Sequence, residues 1–563
     1  MRRNERGKAL LPALVKTLVP LFLFLLPLFV CGSAIAASYH VDNRHPRASD
    51  SNSGMKPGQP LKTISAGTAK ASPGDTVWVH SGTYREMLLL PRDGESPGKP
   101  TSIRAHPGAN VAIKGSDVVT GWTRHSGSIW KRNDWAVNSQ QVFVDGRPLQ
   151  QIGSNCPFNT QLYEKKPILP PVGKDLRDMR AGTFYYDPSS KVLHVWLIDG
   201  SDPNRHSVEA SVLDFLIPPQ TRNHILLQGL NFSHSNVTSK GLLLGMANVW
   251  GKSWTVKECT FNYGDFAGIA LTGEGHRIMN CAFNHNGDVG INLNGSDEGH
   301  RWGPVPDREP QNILLEGNET SFNNYRNFEL GFQHGGIKAA VSCKAIQISR
   351  HKAFSNQGAG IWFDLYCRSV RIERSEISRN LVGIAIEISD DAVIAGNLVT
   401  KNKYQGIYVA ASSDVTVENN TLDENGFGIV LHGMPRKEHP ALRNNKVRNN
   451  IIAESGMVDL VVYDHPSATK GNVTDHNLYY PREKKGVKIA WTGNSDYKVN
   501  YTDMRLFAKD TGNEAHSLIA NPLWRDRASG DYSLKAGSPA IGVFGIQESD
   551  TPKPKGAKQR GKR

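Results

Sequence analysis

The stretch "GIWFDLYCRSVRIERSEISRNLVGIAIEIS", residues 360–389, writes one phrase twice: Gly360-Ile361-Trp362-Phe363-Asp364 and, 23 residues on, Gly383-Ile384-Ala385-Ile386-Glu387. The same opening recurs at Gly241, Gly268, Gly290, Gly336, Gly406 and Gly428, and the last four intervals are 24, 23, 23 and 22 residues. Before each comes an alternating strand and a polar turn, as in "KAIQISRHKAFSNQ" (344–357), "RSVRIERSEISRN" (368–380) and "DAVIAGNLVTKN" (391–402). A unit this short, with period-2 strands and no helical periodicity, cannot bury its apolar face alone and must stack on its neighbours. The spacing therefore predicts an all-β parallel solenoid of 22–24 residues per coil, each unit an alternating strand and a second strand opened by Gly. Asn286, Asn356, Asn380, Asn402 and Asn425 fall near one turn of successive units, where stacked side chains hydrogen-bond as a ladder.

Outward from this core, residues 1–36 read as an export signal: Arg2, Arg3, Arg6 and Lys8, an apolar run from Leu18 to Val30, then Ala34-Ile35-Ala36 for cleavage. An uncleaved anchor is the alternative; the run is short for a span and broken by Pro20 and Pro27. Export places the mature chain in a secreted, periplasmic or extracellular setting. The net charge of +13 is mostly terminal: residues 1–36 and the Pro/Gly/Lys-rich tail 547–563 each carry +4, leaving +5 for the rest. A nearly neutral body calls for no nucleic acid, and a solvated, disordered tail for no membrane beyond the signal. We expect a monomer.

Residues 37–117 form an N-terminal cap and first coils, 118–222 an inserted β-rich module with a hairpin at Asp187-Pro188-Ser189-Ser190, 223–480 the repeat core, and 481–546 a closing segment with a short helix in "YTDMRLFAKD". With no C-x-x-C a zinc-thiolate site is not expected; Cys343 and Cys367 share a slot on adjacent coils, either as a disulfide or as buried thiols. The doublet Asp464-His465 in "VYDHP" reads as a turn.

The opening "YHVDNRHPRASDSNSGMKPGQPLKTISAGTAKASPGDTVWVHSGTYRE" (39–86) resembles the start of the right-handed parallel β-helix proteins among secreted polysaccharide enzymes. That resemblance supplies the handedness, an N-terminal strand and a short capping helix near "LKTISAGTAKA".

In the Gly-led strands the first and third residues after Gly are apolar and face inward, so the second and fourth face out. The outward slots run Asn292 and Asn294, Lys338 and Ala340, Trp362 and Asp364, Ala385 and Glu387, Tyr408 and Ala410, Val430 and His432. Trp362 and Tyr408 are expected as exposed sugar-stacking platforms beside the acids. The interval from Gly290 to Gly336 is doubled, and its extra residues, including "GSDEGHRWGPVPDREP" and "YRNFELGFQHGG" with His334, are long enough to wall a cleft. Asn292, Asn294, His334, Trp362, Tyr408 and His432 are thus candidate substrate-binding residues. Asp364 and Glu387 share a slot one strand spacing apart, about 4.8 Å. Their carboxyls then approach the roughly 5–5.5 Å of retaining glycosidases. Two acids that close do not both ionise freely, which separates their roles. Asp364, next to Lys338, becomes the nucleophile and Glu387 the general acid/base, with Lys338 tuning or binding and no metal or cofactor required.

"GIWFD", a 23-residue coil and the Glu of "IEIS" resemble the active-site coils of the glycoside hydrolase family 120 β-xylosidases. The resemblance implies a retaining enzyme on a right-handed β-helix with an inserted β-rich domain, Asp364 as nucleophile and Glu387 as acid/base, acting on a poly- or oligosaccharide. Two readings compete. A polysaccharide lyase or uronate epimerase would use Lys338 as base and Ca²⁺ to stabilise the enolate, for which two acids are a thin ligand set. A surface β-helix that binds glycan without turnover would use the acids as hydrogen-bonding groups.

Overall fold

The structure, a computed structural model, describes residues 36–153, 172–237, 244–295, 309–328, 334–434, 442–463, 469–482, 486–491 and 497–546. The export signal, the basic tail, Cys156, Gly241, most of the long loop after Gly290 and Asp464-His465 lie outside them.

Coils of the repeat region carry three strands, one more than alternation suggests. The Gly-led strands Gly335–Ala340, Ala359–Asp364, Val382–Glu387, Gln405–Ala410 and Phe427–His432 stack in parallel register. A second ladder contains Lys344–Ser349, Arg368–Glu373 and Asp390–Ala395. A third contains Lys352–Phe354, Glu376–Ser378 and Leu398–Thr400. The chain bends between the last two at residues such as Arg350 and Arg374, both left-handed at φ 52°. Side-chain alternation then closes a dry interior: Ile361, Phe363, Ile384, Ile386, Ile407 and Val409 are all fully buried.

The glycine that opens each phrase is there because the next coil comes too close for a side chain. A Cβ on Gly360 would stand 2.7 Å from Ile377 Cγ2 and 2.8 Å from the Gly383 carbonyl; on Gly383 it would stand 2.3 Å from the Gly406 carbonyl. In the unit of Gly241 the ladder strand is Gly245–Lys252, and its register sets Met246 in the slot of Gly268.

The asparagines form the expected ladder, with Asn323 as an extra rung. Each side-chain amide donates to the next carbonyl oxygen, Asn286 to Asn323 at 3.0 Å, Asn323 to Asn356 at 2.9 Å, Asn356 to Asn380 at 2.9 Å, Asn380 to Asn402 at 3.2 Å and Asn402 to Asn425 at 2.9 Å. A second ladder at another corner runs Asn397, Asn420, Asn450 and Asn477 at 3.0–3.1 Å. The buried Glu514 terminates it, accepting from the Asn477 amide at 3.1 Å and from Tyr479 Oη at 3.0 Å.

The coil stack runs straight past the insertion. Thr101–Ala105 pairs with Ile225–Gln228 and Val111–Lys114 with Leu230–Ser233, so the residues between leave and rejoin between adjacent coils. The excursion holds antiparallel sheets, including the hairpin Thr183–Asp187 with Val192–Trp196, and a core of its own around Trp122, Trp130, Phe184 and Leu193. It docks on the solenoid through Glu209, which accepts from Ser116 Oγ at 2.7 Å and Lys114 Nζ at 2.9 Å. Gln141 and Gln151 reach further along, binding the Tyr325 hydroxyl and the Arg326 guanidinium.

The helix Ile64–Lys70, N-capped by the Thr63 hydroxyl, covers one end, and the helix Met504–Thr511, N-capped by Asp503, lies in the closing segment. Cys259, Cys281, Cys343 and Cys367 are buried free thiols, so of the two alternatives for Cys343 and Cys367 the structure has the reduced pair. Among the described residues no helix is long and apolar enough to cross a membrane.

Candidate active site

The Gly-led ladder sets two outward columns in register. One runs Asn248, Ala270, Asn292, Lys338, Trp362, Ala385, Tyr408, Val430 and Val461; the other runs Trp250, Thr272, Asn294, Ala340, Asp364, Glu387, Ala410, His432 and Tyr463. Phe363 opposite Ile386 is the last laddered pair between the strands that carry the two acids, and Asp364 and Glu387 each follow it directly. The shared slot read from the sequence is therefore the one the register gives.

Outward does not mean wet. Asn292, Asn294, Lys338, Asp364 and His334 are all buried, while Trp362, Glu387, Tyr408 and His432 are half-buried. The expectation that Trp362 and Tyr408 stand fully exposed is corrected: each has neighbours over part of its ring. Lys338 Nζ lies 3.4 Å from the Trp362 ring centroid, and the Tyr408 and His432 ring centroids are 6.0 Å apart.

Lys338 is the pivot of the site. Its ammonium donates to Asp364 Oδ2 at 2.9 Å while resting on the Trp362 face, a cation–π contact and a charge-assisted hydrogen bond at once. With Lys338 1% exposed, this ion pair is shielded from water. Asp364 Oδ1 and Trp362 Nε1 are buried and have no hydrogen-bond partner among the described residues. Buried polar atoms are rarely left this way, and a bound group or water that completes the set is one explanation for such an atom. The pair thus presents an unspent acceptor and an unspent donor beside the half-buried Glu387.

Upstream, the Asn294 amide donates to Asn292 Oδ1, which turns both asparagines toward each other. His334 packs against the next coil, where a Cβ at Gly358 would stand 2.4 Å from its Cδ2. Downstream, His432 Nδ1 hydrogen-bonds the Tyr497 hydroxyl, and the His432 ring lies 5.0 Å from that of Tyr463. Burial lowers the pKa of His432 and pushes the Tyr497 phenol up to about 12, so the neutral forms of both prevail. Tyr497, Tyr408 and Phe427 pack over Val430 and Val461, closing the column at this end.

Lys338, Trp362, Asp364 and Glu387 thus come together, as do Tyr408 and His432; the register carries Asn292 and Asn294 one coil before Lys338, and His334 directly precedes the Lys338 strand. Sequence reasoning missed Trp250, Tyr463 and Tyr497. Tyr463 was findable from the alternation in "VDLVVY", but the landmark glycine is replaced there by Asp459, which the register sets opposite Gly428. Tyr497 comes from outside the repeat and left no periodic signal.

Fold and register together define a right-handed parallel β-helix protein. The family model for a right-handed beta helix region matches residues 245–422 and 312–500. The chain is 24% identical over 517 residues to the uncharacterized protein YwoF of Bacillus subtilis (strain 168), covering 89% of this chain and 92% of that one. It is also similar to the solved structure of XylC in complex with xylose, with a TM-score of 0.61, 17% identity, and coverage of 81% of this chain and 86% of the XylC chain.

Proposed function

We propose that this protein is an exported carbohydrate-active enzyme, a retaining glycoside hydrolase acting on a poly- or oligosaccharide. The observation that carries the reading is the buried Lys338–Asp364 pair, whose second carboxylate oxygen has no hydrogen-bond partner among the described residues and shares its slot with Glu387 on the next coil. Asp364 Oδ1 attacks the anomeric carbon while Glu387 gives its proton to the departing glycosidic oxygen, leaving a glycosyl ester on Asp364. Glu387, now a carboxylate, takes a proton from water, which attacks the same carbon and returns Asp364 to its starting state. Lys338 supplies the counter-charge that holds Asp364 in place through both steps. Trp362, whose Nε1 has no hydrogen-bond partner among the described residues, and Tyr408 flank the acids as a sugar's apolar face and hydroxyls require. The relative solved with xylose supports a saccharide as the ligand class.

The lyase or epimerase alternative asks Lys338 to meet the substrate as a base. Its Nζ is enclosed by Asp364 and Trp362, which favours the hydrolase. Incubating the purified protein with a panel of neutral and acidic polysaccharides and aryl glycosides tests the proposal, following reducing ends or aryl release together with absorbance of an unsaturated uronate. New reducing ends or released aryl groups without that absorbance are expected. Appearance of the absorbance overturns the hydrolase, and silence across the panel favours a binding protein.

A further inference from the structure

Away from the stripe, the last coil and the closing segment bring two imidazoles to one carboxylate. Asp475 ends the strand Val473–Asp475, His476 follows it in the left-handed corner at φ 55°, and His516 arrives from the closing segment 41 residues on. His516 Nδ1 lies 2.7 Å and His476 Nδ1 3.4 Å from the same oxygen, Asp475 Oδ2, and the two rings are stacked with centroids 4.8 Å apart. The other oxygen, Oδ1, is spent on the backbone, accepting the N–H groups of His476 and His516 at 2.8 Å each. The carboxylate is thereby fixed in orientation, with Oδ2 turned to both rings.

We propose that Asp475, His476 and His516 bind a divalent transition cation of the zinc class, stapling the closing segment to the last coil. One ligand atom from each of the three residues lies within 4.8 Å of the others. A tetrahedral ion with ligands about 2.0–2.1 Å away sets ligand-to-ligand edges of about 3.3 Å. The His476 edge, at 3.4 Å, already has that length, and the His516 edge, at 2.7 Å, has to open by about 0.6 Å to reach it. Two imidazoles and one carboxylate select Zn²⁺, Ni²⁺ or Cu²⁺ over the all-oxygen sites of Ca²⁺ and Mg²⁺. Arg448, the rung that stacks on Asp475, does not compete for the carboxylate: it is turned to Glu418, its Nε 2.9 Å from Oε2. The imidazoles are 54% and 67% exposed, which leaves a path for the ion and a fourth position open to solvent. The same anchoring of Oδ1 by two backbone N–H groups is what a metal-binding carboxylate needs from its surroundings.

The test uses the full chain stripped with a chelator and titrated with Zn²⁺ alone by calorimetry, in parallel with His476→Ala and His516→Ala. These exposed side chains are removable without disturbing the core. One equivalent bound at micromolar affinity or tighter, weakened at least tenfold in either variant, is expected. Zn²⁺ should raise the melting temperature of the wild type, raise it much less in the variants, and be replaced by no comparable effect of Ca²⁺. Binding whose stoichiometry and affinity are the same in both variants places the ion elsewhere and overturns the site. Absence of binding at 100 µM Zn²⁺ reduces the cluster to hydrogen-bonded surface histidines.

Discussion

Lys338 and Asp364 form an ion pair across neighbouring coils, Nζ to Oδ2 at 2.9 Å, with side chains 1% and 6% exposed. Strand register, not sequence proximity, makes this pair. Its burial ties the proposed catalysis to stability, because removing either charge strands the other.

Asp364→Asn is expected to abolish turnover, by on the order of 10⁴-fold or more, and also to destabilise the fold by about 3–5 kcal/mol, because Lys338 is left buried and uncompensated. The double variant Lys338→Met/Asp364→Asn should recover most of the stability in urea unfolding and none of the activity. Recovery of activity would show that Asp364 is structural.

Glu387→Gln separates the two roles. This side chain is half-buried, so its unfolding midpoint should stay near that of the wild type while kcat/KM on an unactivated glycoside falls by about 10²–10⁴-fold. Substrates with good leaving groups should suffer less in the first step, and added azide should restore part of the rate by taking the place of activated water.

Two buried histidines make the fold sensitive to acid. His276 Nδ1 accepts the Trp254 backbone N–H at 3.2 Å while Nε2 lies 3.0 Å from the Thr272 carbonyl, so a second ring proton would face an N–H. Burial pushes its pKa down to about 4 and that of His351 down to about 3. Folded values below the unfolded one mean that the unfolded chain takes the proton first: stability is full above about pH 6.5 and is lost as pH falls toward the folded values. At pH 5 each histidine should cost about 2 kcal/mol. The difference in urea-unfolding free energy between pH 7 and pH 5 should shrink by that amount in His276→Gln.

The asparagine ladder predicts a large effect from a small, chemically mild change. Asn380 accepts from the Asn356 backbone N–H at 3.1 Å and from its side-chain amide at 2.9 Å, and donates to Asn402 and to the Ala353 carbonyl. Asn380→Ala leaves two buried donors on Asn356 unmet, for an expected loss of about 2–4 kcal/mol in chemical denaturation. A loss below about 1 kcal/mol would mean that water enters the corner and replaces the rung.

The parts of the fold legible in sequence are those where geometry forces composition. Gly360 and Gly383 mark strand starts because a Cβ would strike the next coil, and Asn380 and Asn402 mark a corner because a short amide both donates and accepts along the axis. The third ladder escaped notice because its bend uses Arg350 and Arg374, left-handed residues with no compositional signature. At the site, period-2 alternation told which side of the strand Lys338, Trp362 and Asp364 take, but not what lies over them. At the His432 end the cover comes from Tyr497, in a segment that obeys no repeat.

The insertion between stacked coils has a kinetic consequence. Ile361 meets Ile384 after 23 residues of chain, whereas Ile113 must wait 119 residues for Phe232. Loop closure over that length costs about 1.5 kcal/mol more in chain entropy. The first coils are therefore expected to wait with an open edge until the module has folded, and their joining to the rest is the expected slow step of assembly.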